Sequence, residues 1–346
     1  MTTDSSARLG SASHPLVSVV IPTLNEELHI ESCLRSVQRQ TYSPDLVEII
    51  VADGGSSDAT RDIVERLAAE DPRIRLIDNP GRNQAAGLNL AIAASKGGVI
   101  ARLDGHAEWR PGHLERCLQL LEETGADNVG GTMQGHGDNA VELAIAAATR
   151  SPFAVGGATY RYSSKQQDVE TVWLGCFRRD ALDRVGGFDE KAPPHEDYEL
   201  NHRIRAAGGR VVYSPDLQTL YWPRSSWRAL AKQYYRYGRA KVRVAVRTPE
   251  VIRIYHLAPP ALVAGTVLGT GLIGRTGPAR RAALALAGSY ALASLAAAVA
   301  ASRGQPNAVR LRTALVFPIV HVSWGLGFWA GVAEALRDGL TTIPHA

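Results

Sequence analysis

Four short runs rich in Val and Ile constrain this chain more than any other feature: residues 16–21, 47–52, 74–77 and 99–103. Their hydrophobicity is continuous rather than alternating, which suits strands buried on both faces. Between them, Leu28, Ile30, Cys33, Leu34 and Val37 recur at helical spacing, a second amphipathic stretch starts at Ser57 or Asp58 and ends near Ala68, and a third covers 84–94. Asn25 or Thr23 is the expected cap of the first helix. Strand and helix in alternation predict an α/β fold with a mostly parallel sheet. Ligands of such sheets bind beyond the carboxyl ends of strands, where Asp53 and Asp104 fall. Further strands are expected at 172–177 and 210–213, with a helix over 198–207 between them.

Charge is distributed unevenly. Residues 255–346 hold seven Lys/Arg against two acids, so the net +4 divides into +5 from this tail and −1 from the rest. A basic surface over the whole protein is thereby excluded, and no nucleic-acid partner is expected. The tail contains three uncharged runs, 254–274, 282–302 and 313–333, each 21 residues long. At about 1.5 Å per residue each reaches roughly one hydrocarbon thickness, so three membrane spans are expected. Before them, 227–253 carries eight Lys/Arg and one acid, Glu250, with Leu230, Tyr234, Tyr237, Val242 and Val246 interleaved. That pattern reads as a basic amphipathic helix attracted to anionic headgroups, or as plain positive-inside topology. Cys33, Cys117 and Cys176 lack metal-site or disulfide spacing and fit a reducing compartment. The opening 1–15 reads as a flexible tail with no signal peptide. The expected division is a catalytic domain over 16–226, the basic helix over 227–253 and the membrane region over 254–346.

Four motifs carry candidate chemistry. In Val19-Val20-Ile21-Pro22-Thr23-Leu24-Asn25-Glu26-Glu27 a strand ends at proline and a polar turn opens a helix. In Asp53-Gly54-Gly55-Ser56-Ser57-Asp58 a carboxylate with glycines behind it can approach a base or ribose, or merely cap its own turn. In Arg102-Leu103-Asp104-Gly105-His106 a carboxylate and an imidazole flank one small residue and can converge on a divalent ion; the alternative is an ordinary Asp turn. In His195-Glu196-Asp197-Tyr198-Glu199 acids open a helix, either as dipole partners or as a base for an incoming hydroxyl. No G-x-G-x-x-G follows the first strand, which disfavours a dinucleotide site.

Taken in order, these motifs resemble the GT-A domain of glycosyltransferase family 2, inverting enzymes that use nucleotide-diphospho-sugars. Gly175-Cys176-Phe177-Arg178-Arg179 and Val185-Gly186-Gly187-Phe188-Asp189-Glu190 are similar to the family's acceptor-side segment, and the likeness is nearest to bacterial succinoglycan-type glucosyltransferases. The resemblance implies that Pro22, Thr23, Glu26, Asp53 and Arg82 line the nucleotide, while Asp104 and His106 hold Mn2+ or Mg2+ with the diphosphate. It further implies Asp197 as catalytic base, with Glu196, Trp173, Gly175, Gln233, Arg236 and Tyr237 on the acceptor side. His106 stands where the family usually has an acid. The expected reaction moves a sugar, glucose by resemblance, from a UDP-sugar to a lipid-linked saccharide. Its expected setting is the cytosolic face of the inner membrane, among membrane lipid and other polysaccharide-assembly proteins. Two alternatives remain at this level: transfer to bare polyprenyl phosphate, and a catalytically silent adaptor or sugar-nucleotide sensor.

Overall fold

The computed structural model describes residues 14–191, 194–271 and 277–339. Most of the flexible tail expected at 1–15 and the last residues of the first uncharged run therefore lie outside the described residues. The chain divides into two compact units, Met1–Gln134 with Ser163–Tyr221, and Gly135–Tyr162 with Trp222–Ala346.

The first unit begins with the expected alternation: β1 (Val17–Thr23), α1 (Ile30–Gln38), β2 (Val47–Asp53), α2 (Thr60–Glu70), β3 (Ile74–Asp78), α3 (Gln84–Ala94) and β4 (Val99–Arg102). β5 (Ala107–Trp109), α4 (His113–Thr124) and β6 (Asn128–Gly135) follow. After the excursion into the second unit come β7 (Gln167–Asp168), β8 (Cys176–Arg178), α7 (Arg179–Val185), α8 (Glu196–Ala206) and β9 (Val211–Tyr221). The nine strands form one mixed sheet, β3-β2-β1-β4-β8-β6-β9-β5, with β7 also on β9. β1 to β4 are mutually parallel, whereas β8 runs antiparallel to both β4 and β6. Alternate residues Val17, Val19 and Ile21 of β1 join a core with Ile30, Cys33, Leu34 and Val37 of α1, while α3 packs on β1 and β2. Burial on both faces explains the unbroken apolar runs. The chain leaves β1 toward β2 on one side and returns to β4 on the other, so a topological switch point falls between β1 and β4.

Two local expectations are corrected. Asn25 does not cap α1. It adopts φ 58° and its Oδ1 accepts from the Ser57 amide at 2.8 Å, tying two loops together. The strand expected at 172–177 is confined to Cys176–Arg178, because Leu174, at φ 51°, breaks the extended backbone just before it. All three cysteines are buried and free.

The second unit contains α5 (Ala140–Thr149), α6 (Pro152–Val155), α9 (Trp227–Arg247), α10 (Ala258–Thr270), α11 (Pro278–Ala301) and α12 (Asn307–Arg337). It takes in 135–162 as well as 222–346, so a single boundary at 226 stands near only the last of three crossings. The cause is burial: Ala144, Ile145 and Ala148 of α5 share a core cluster with Val316, Phe317 and Val320 of α12. Among the described residues two helices, α11 and α12, are long and apolar enough to cross a membrane. The first of the three uncharged runs instead opens with a 3-10 turn at Ile254–Leu257, followed by the 13-residue α10. At about 1.5 Å per residue α10 covers roughly 20 Å, short of a span.

Candidate active site

At the carboxyl ends of β1 and β4 the sequence leaves a problem that the fold must solve. Arg102 continues the buried run of β4 and is 2% exposed, so its charge has to be met inside the protein. It is met by three carboxylates. Arg102 Nε donates to Asp104 Oδ1 at 3.0 Å, Nη1 to Asp197 Oδ1 at 2.5 Å, and Nη2 lies 3.6 Å from Glu196 Oε1. Burial by itself would lower the Arg102 pKa, but Asp104, Asp197 and Glu196 outweigh it and raise it. Asp197 responds the other way. Burial, opposed by Arg102 and reinforced by Glu196 and Asp104, raises its pKa to about 7. Glu196 and Asp197 are the first two residues of α8, where the helix dipole favours acids. Glu196 Oε2 is buried and has no hydrogen-bond partner.

Asp104 Oδ1 also accepts from Gln84 Nε2 at 3.0 Å, at the first turn of α3. Two residues on, His106 Nδ1 lies 2.8 Å from Glu26 Oε1. A carboxylate on one ring nitrogen fixes an imidazole's orientation and directs the other nitrogen toward a ligand. Gly105 makes the convergence possible: a Cβ there would stand 3.1 Å from Glu26 Cγ and 3.2 Å from Thr23 Cγ2. Thr23 is 4% exposed, and its Oγ1 has no partner. Among the described residues no group of three or more His, Cys, Asp or Glu is placed to hold a metal. One carboxylate and one oriented imidazole nevertheless fit an ion whose remaining ligands are phosphate oxygens and water.

Asp53 ends β2, in register with Thr23 of β1 and Asp78 of β3. Its carboxylate accepts from the Gly55 and Ser56 amides at 3.1 Å each, from Ser56 Oγ at 2.6 Å, and from Arg61 at 3.4 Å. It thus organises its own loop. Arg82, at φ 52°, reaches the Gly55 carbonyl of that loop at 3.4 Å. Pro22 lines the same sheet edge, beside Gly87 of α3. Among the described residues, the three non-glycine residues with left-handed backbone, Asn25, Arg82 and Leu174, follow β1, follow β3 and precede β8, and strain of this kind concentrates at functional sites. The Trp173 ring meets Tyr221 edge-on at 5.5 Å, and the Gly175 carbonyl accepts from the Arg102 amide at 3.1 Å.

The first unit therefore joins Asp104, Glu196 and Asp197 through one guanidinium, and Glu26 with His106. Gln233, Arg236 and Tyr237 belong to the second unit, where Gln233 donates to Tyr237 Oη at 2.9 Å within α9. Arg102 and Gln84 were missed as site residues. An arginine inside an otherwise apolar strand run was the available signal for Arg102, whereas nothing local marked Gln84.

The family model described as Glycosyl transferase family 2 matches residues 18–186. The succinoglycan biosynthesis protein ExoA of Rhizobium meliloti (strain 1021) is 32% identical over 324 residues, covering 92% of this chain and 96% of that protein. A Methanococcus voltae protein is 27% identical over 233 residues, 65% of this chain and 72% of the relative; its name describes transfer of a diacetamido-dideoxy-glucuronosyl group to dolichyl N-acetyl-alpha-D-glucosaminyl phosphate. Among solved structures, the mannosyltransferase PcManGT from Pyrobaculum calidifontis, in complex with GDP-Man and Mn2+, superposes with a TM-score of 0.67 at 20% identity, covering 93% of this chain and 88% of that one. That likeness establishes the GT-A fold. On the strength of the near full-length relative and the matched domain, the chain belongs to glycosyltransferase family 2.

Proposed function

We propose that this protein is an inverting glycosyltransferase that moves a sugar from a UDP-sugar, glucose first among the donors, to a lipid-linked saccharide at the cytosolic face of the inner membrane. The observation that carries the reading is the Arg102 cluster, which holds a donor-side carboxylate, Asp104, and an acceptor-side carboxylate, Asp197, on one guanidinium. A succinoglycan biosynthesis protein as near full-length relative, and a relative named for a dolichyl-linked sugar acceptor, support a saccharide carried on lipid over bare polyprenyl phosphate. Retention of Asp197 and of the Asp104–His106 pair speaks against a silent adaptor.

In the proposed reaction the acceptor hydroxyl oxygen attacks the anomeric carbon from the face opposite the diphosphate. Its proton passes to a carboxylate oxygen of Asp197 while the bond to the diphosphate oxygen breaks. With its pKa raised to about 7, Asp197 is a far better base than a solvated aspartate. Arg102 holds that carboxylate in place, and Glu196 Oε2 is a buried acceptor at its side, suited to a second sugar hydroxyl. Thr23 Oγ1 and Arg82 are available to the nucleotide at the sheet edge. Asp104 and His106 would hold Mn2+ or Mg2+, which when bound supplies positive charge to the diphosphate. The test is transfer from labelled UDP- and GDP-sugars into extractable lipid by membranes containing the full chain. Asp197→Asn is expected to lower the rate by about 10²–10⁴; transfer at the parental rate by that variant would refute the assignment.

A further inference from the structure

The second unit carries its own evidence about how it meets a membrane, and the argument rests on the proposal that it meets one. α9 and α12 pack in parallel with backbones in close approach. A Cβ on Gly238 would stand 2.0 Å from the Trp324 carbonyl oxygen, one on Gly327 2.0 Å from that of Tyr235, and one on Gly331 2.8 Å from that of Arg239. Arg239 and Arg243 both donate to Glu334, at 2.9 and 3.1 Å. The two helices advance together: Gly238 lies against Trp324, Tyr235 against Gly327 and Arg239 against Gly331, offsets of 86 to 92 (324 − 238, 327 − 235, 331 − 239). By those offsets Arg228, Lys232 and Arg236 stand level with residues 314–320, 318–324 and 322–328, within the uncharged run 313–333 of α12. All three are exposed, and Arg243 and Arg247 continue the same stripe. If α12 stood across a bilayer, these cations would lie at hydrocarbon depth, where each is strongly disfavoured.

The other side of α12 has the opposite character. Leu311, Leu315, Val322, Leu326, Trp329 and Leu336 are 41–75% exposed and recur at helical spacing. At about 100° per residue this stripe is centred roughly 180° from the face that receives α9. α11 runs back beside α12, with Tyr290 Oη 2.9 Å from His321 Nδ1, and leaves Leu284, Leu286, Leu292, Leu295 and Val299 bare. One unit thus presents an apolar face on α11 and α12 and an exposed basic stripe on α9.

We propose that α12 does not cross the bilayer but lies along it, with its bare leucines and Trp329 in the upper acyl region and the α9 cations among anionic headgroups. The occupant of the apolar face is an anionic lipid surface, chosen by charge complementarity within the same unit. Helix α12 then has both ends on one side of the membrane, and the spanning reading of its uncharged run is replaced.

Single cysteines at Gln305 and Asp338, exposed positions flanking α12, test this in the full chain, since the native cysteines are buried. Membrane-impermeant maleimide is applied to right-side-out and inside-out vesicles of the expressing bacterium, each site scored against its labelling in lysed membranes. Both sites labelling in the same vesicle orientation is the expected result, and labelling in opposite orientations overturns the proposal. For the headgroup contact, detergent-purified full chain is floated on phosphatidylglycerol-containing and on pure phosphatidylcholine vesicles. Phosphatidylglycerol is expected to bind more, and Arg228→Gln with Lys232→Gln and Arg247→Gln to lose about fivefold per charge removed. Equal flotation on both lipids overturns the charge complementarity. Neither measurement uses activity, so the transferase reading can fail independently; a chain found wholly in the soluble fraction would sink the membrane reading itself.

Discussion

Replacing Arg102 with Met is the most informative single perturbation, because it keeps the volume of the side chain and removes its charge. Arg102 is 2% exposed and is shared by Asp104, Asp197 and Glu196 at 3.0, 2.5 and 3.6 Å. Removing one partner of a buried ion pair costs about 3–5 kcal/mol, because the opposite charge stays behind. With about 2–4 °C lost per kcal/mol in a domain of this size, the unfolding midpoint should fall by about 6–20 °C. The loss also depends on pH. Arg102 is the main contact lowering the Asp197 pKa, which already stands at about 7. Without it the folded value climbs further above the unfolded value of about 3.9. A carboxyl group raised in this way weakens the fold because the unfolded chain releases its proton at lower pH: the cost is absent below about pH 4, grows as pH rises and is complete above the folded pKa. Parent and variant share the loss between about pH 4 and 7, so the gap between them should hold steady from pH 5 to about 7 and widen from there to pH 8, read by tryptophan fluorescence on heating the full chain. A gap that is the same at both pH values, or smaller than about 2 °C, would mean that the cluster is not electrostatically organised as described.

Three more expectations follow from particular groups. Since Asp197 must be ionised to accept a proton, kcat should fall about tenfold per pH unit below about 7; a rate flat from pH 5 to 8 would remove Asp197 as the base. His113 is buried, stacks on Trp109 at 4.7 Å, and has its pKa lowered by burial to about 3. The unfolded chain binds its proton below about 6.5 and the folded chain does not, so stability is lost as pH drops from 6.5 toward 3, by up to about 4–5 kcal/mol. His113→Phe should flatten that loss in acid unfolding curves, and an unchanged slope would assign acid lability elsewhere. Chelation should abolish transfer and added Mn2+ restore it, with His106→Ala raising the donor KM; full activity in EDTA would rule out the metal.

Strands β1 to β4 were legible because burial on both faces writes itself locally, as unbroken Val and Ile runs bounded by turn residues, whereas β5, β6 and β7 carry no such run. The ends of those strands were legible for the same reason, and they brought Thr23, Asp53 and Asp104 to one sheet edge. What local pattern does not contain is the identity of a partner far along the chain. Arg102 in an apolar strand announces that carboxylates must come to it, yet many acids along the chain compete for that place. Only the folding of α8 against β4 selects Asp197 and Glu196. Glu26 was read as a nucleotide contact and His106 as a metal ligand, each from its own motif, and their pairing at 2.8 Å ties the two roles together.

The second unit was legible in its two long apolar helices, and what stayed hidden in it has a different physical reason. An uncharged run of 21 residues has the same composition whether its surroundings are lipid on all sides or one packed helix and lipid on the other. The run in α12 separates from that of α11 only through glycines: Gly238 on α9 and Gly327 and Gly331 on α12 let two backbones approach within contact. Once they do, the charges of α9 become a property of α12's environment, and hydropathy computed on α12 alone is no longer the quantity that decides its depth. The exposed side of α12 is still apolar, so the energy gained by burying it in lipid survives. In the orientation we propose, the neighbouring cations remove the choice of crossing, and both faces are satisfied with α12 parallel to the membrane plane.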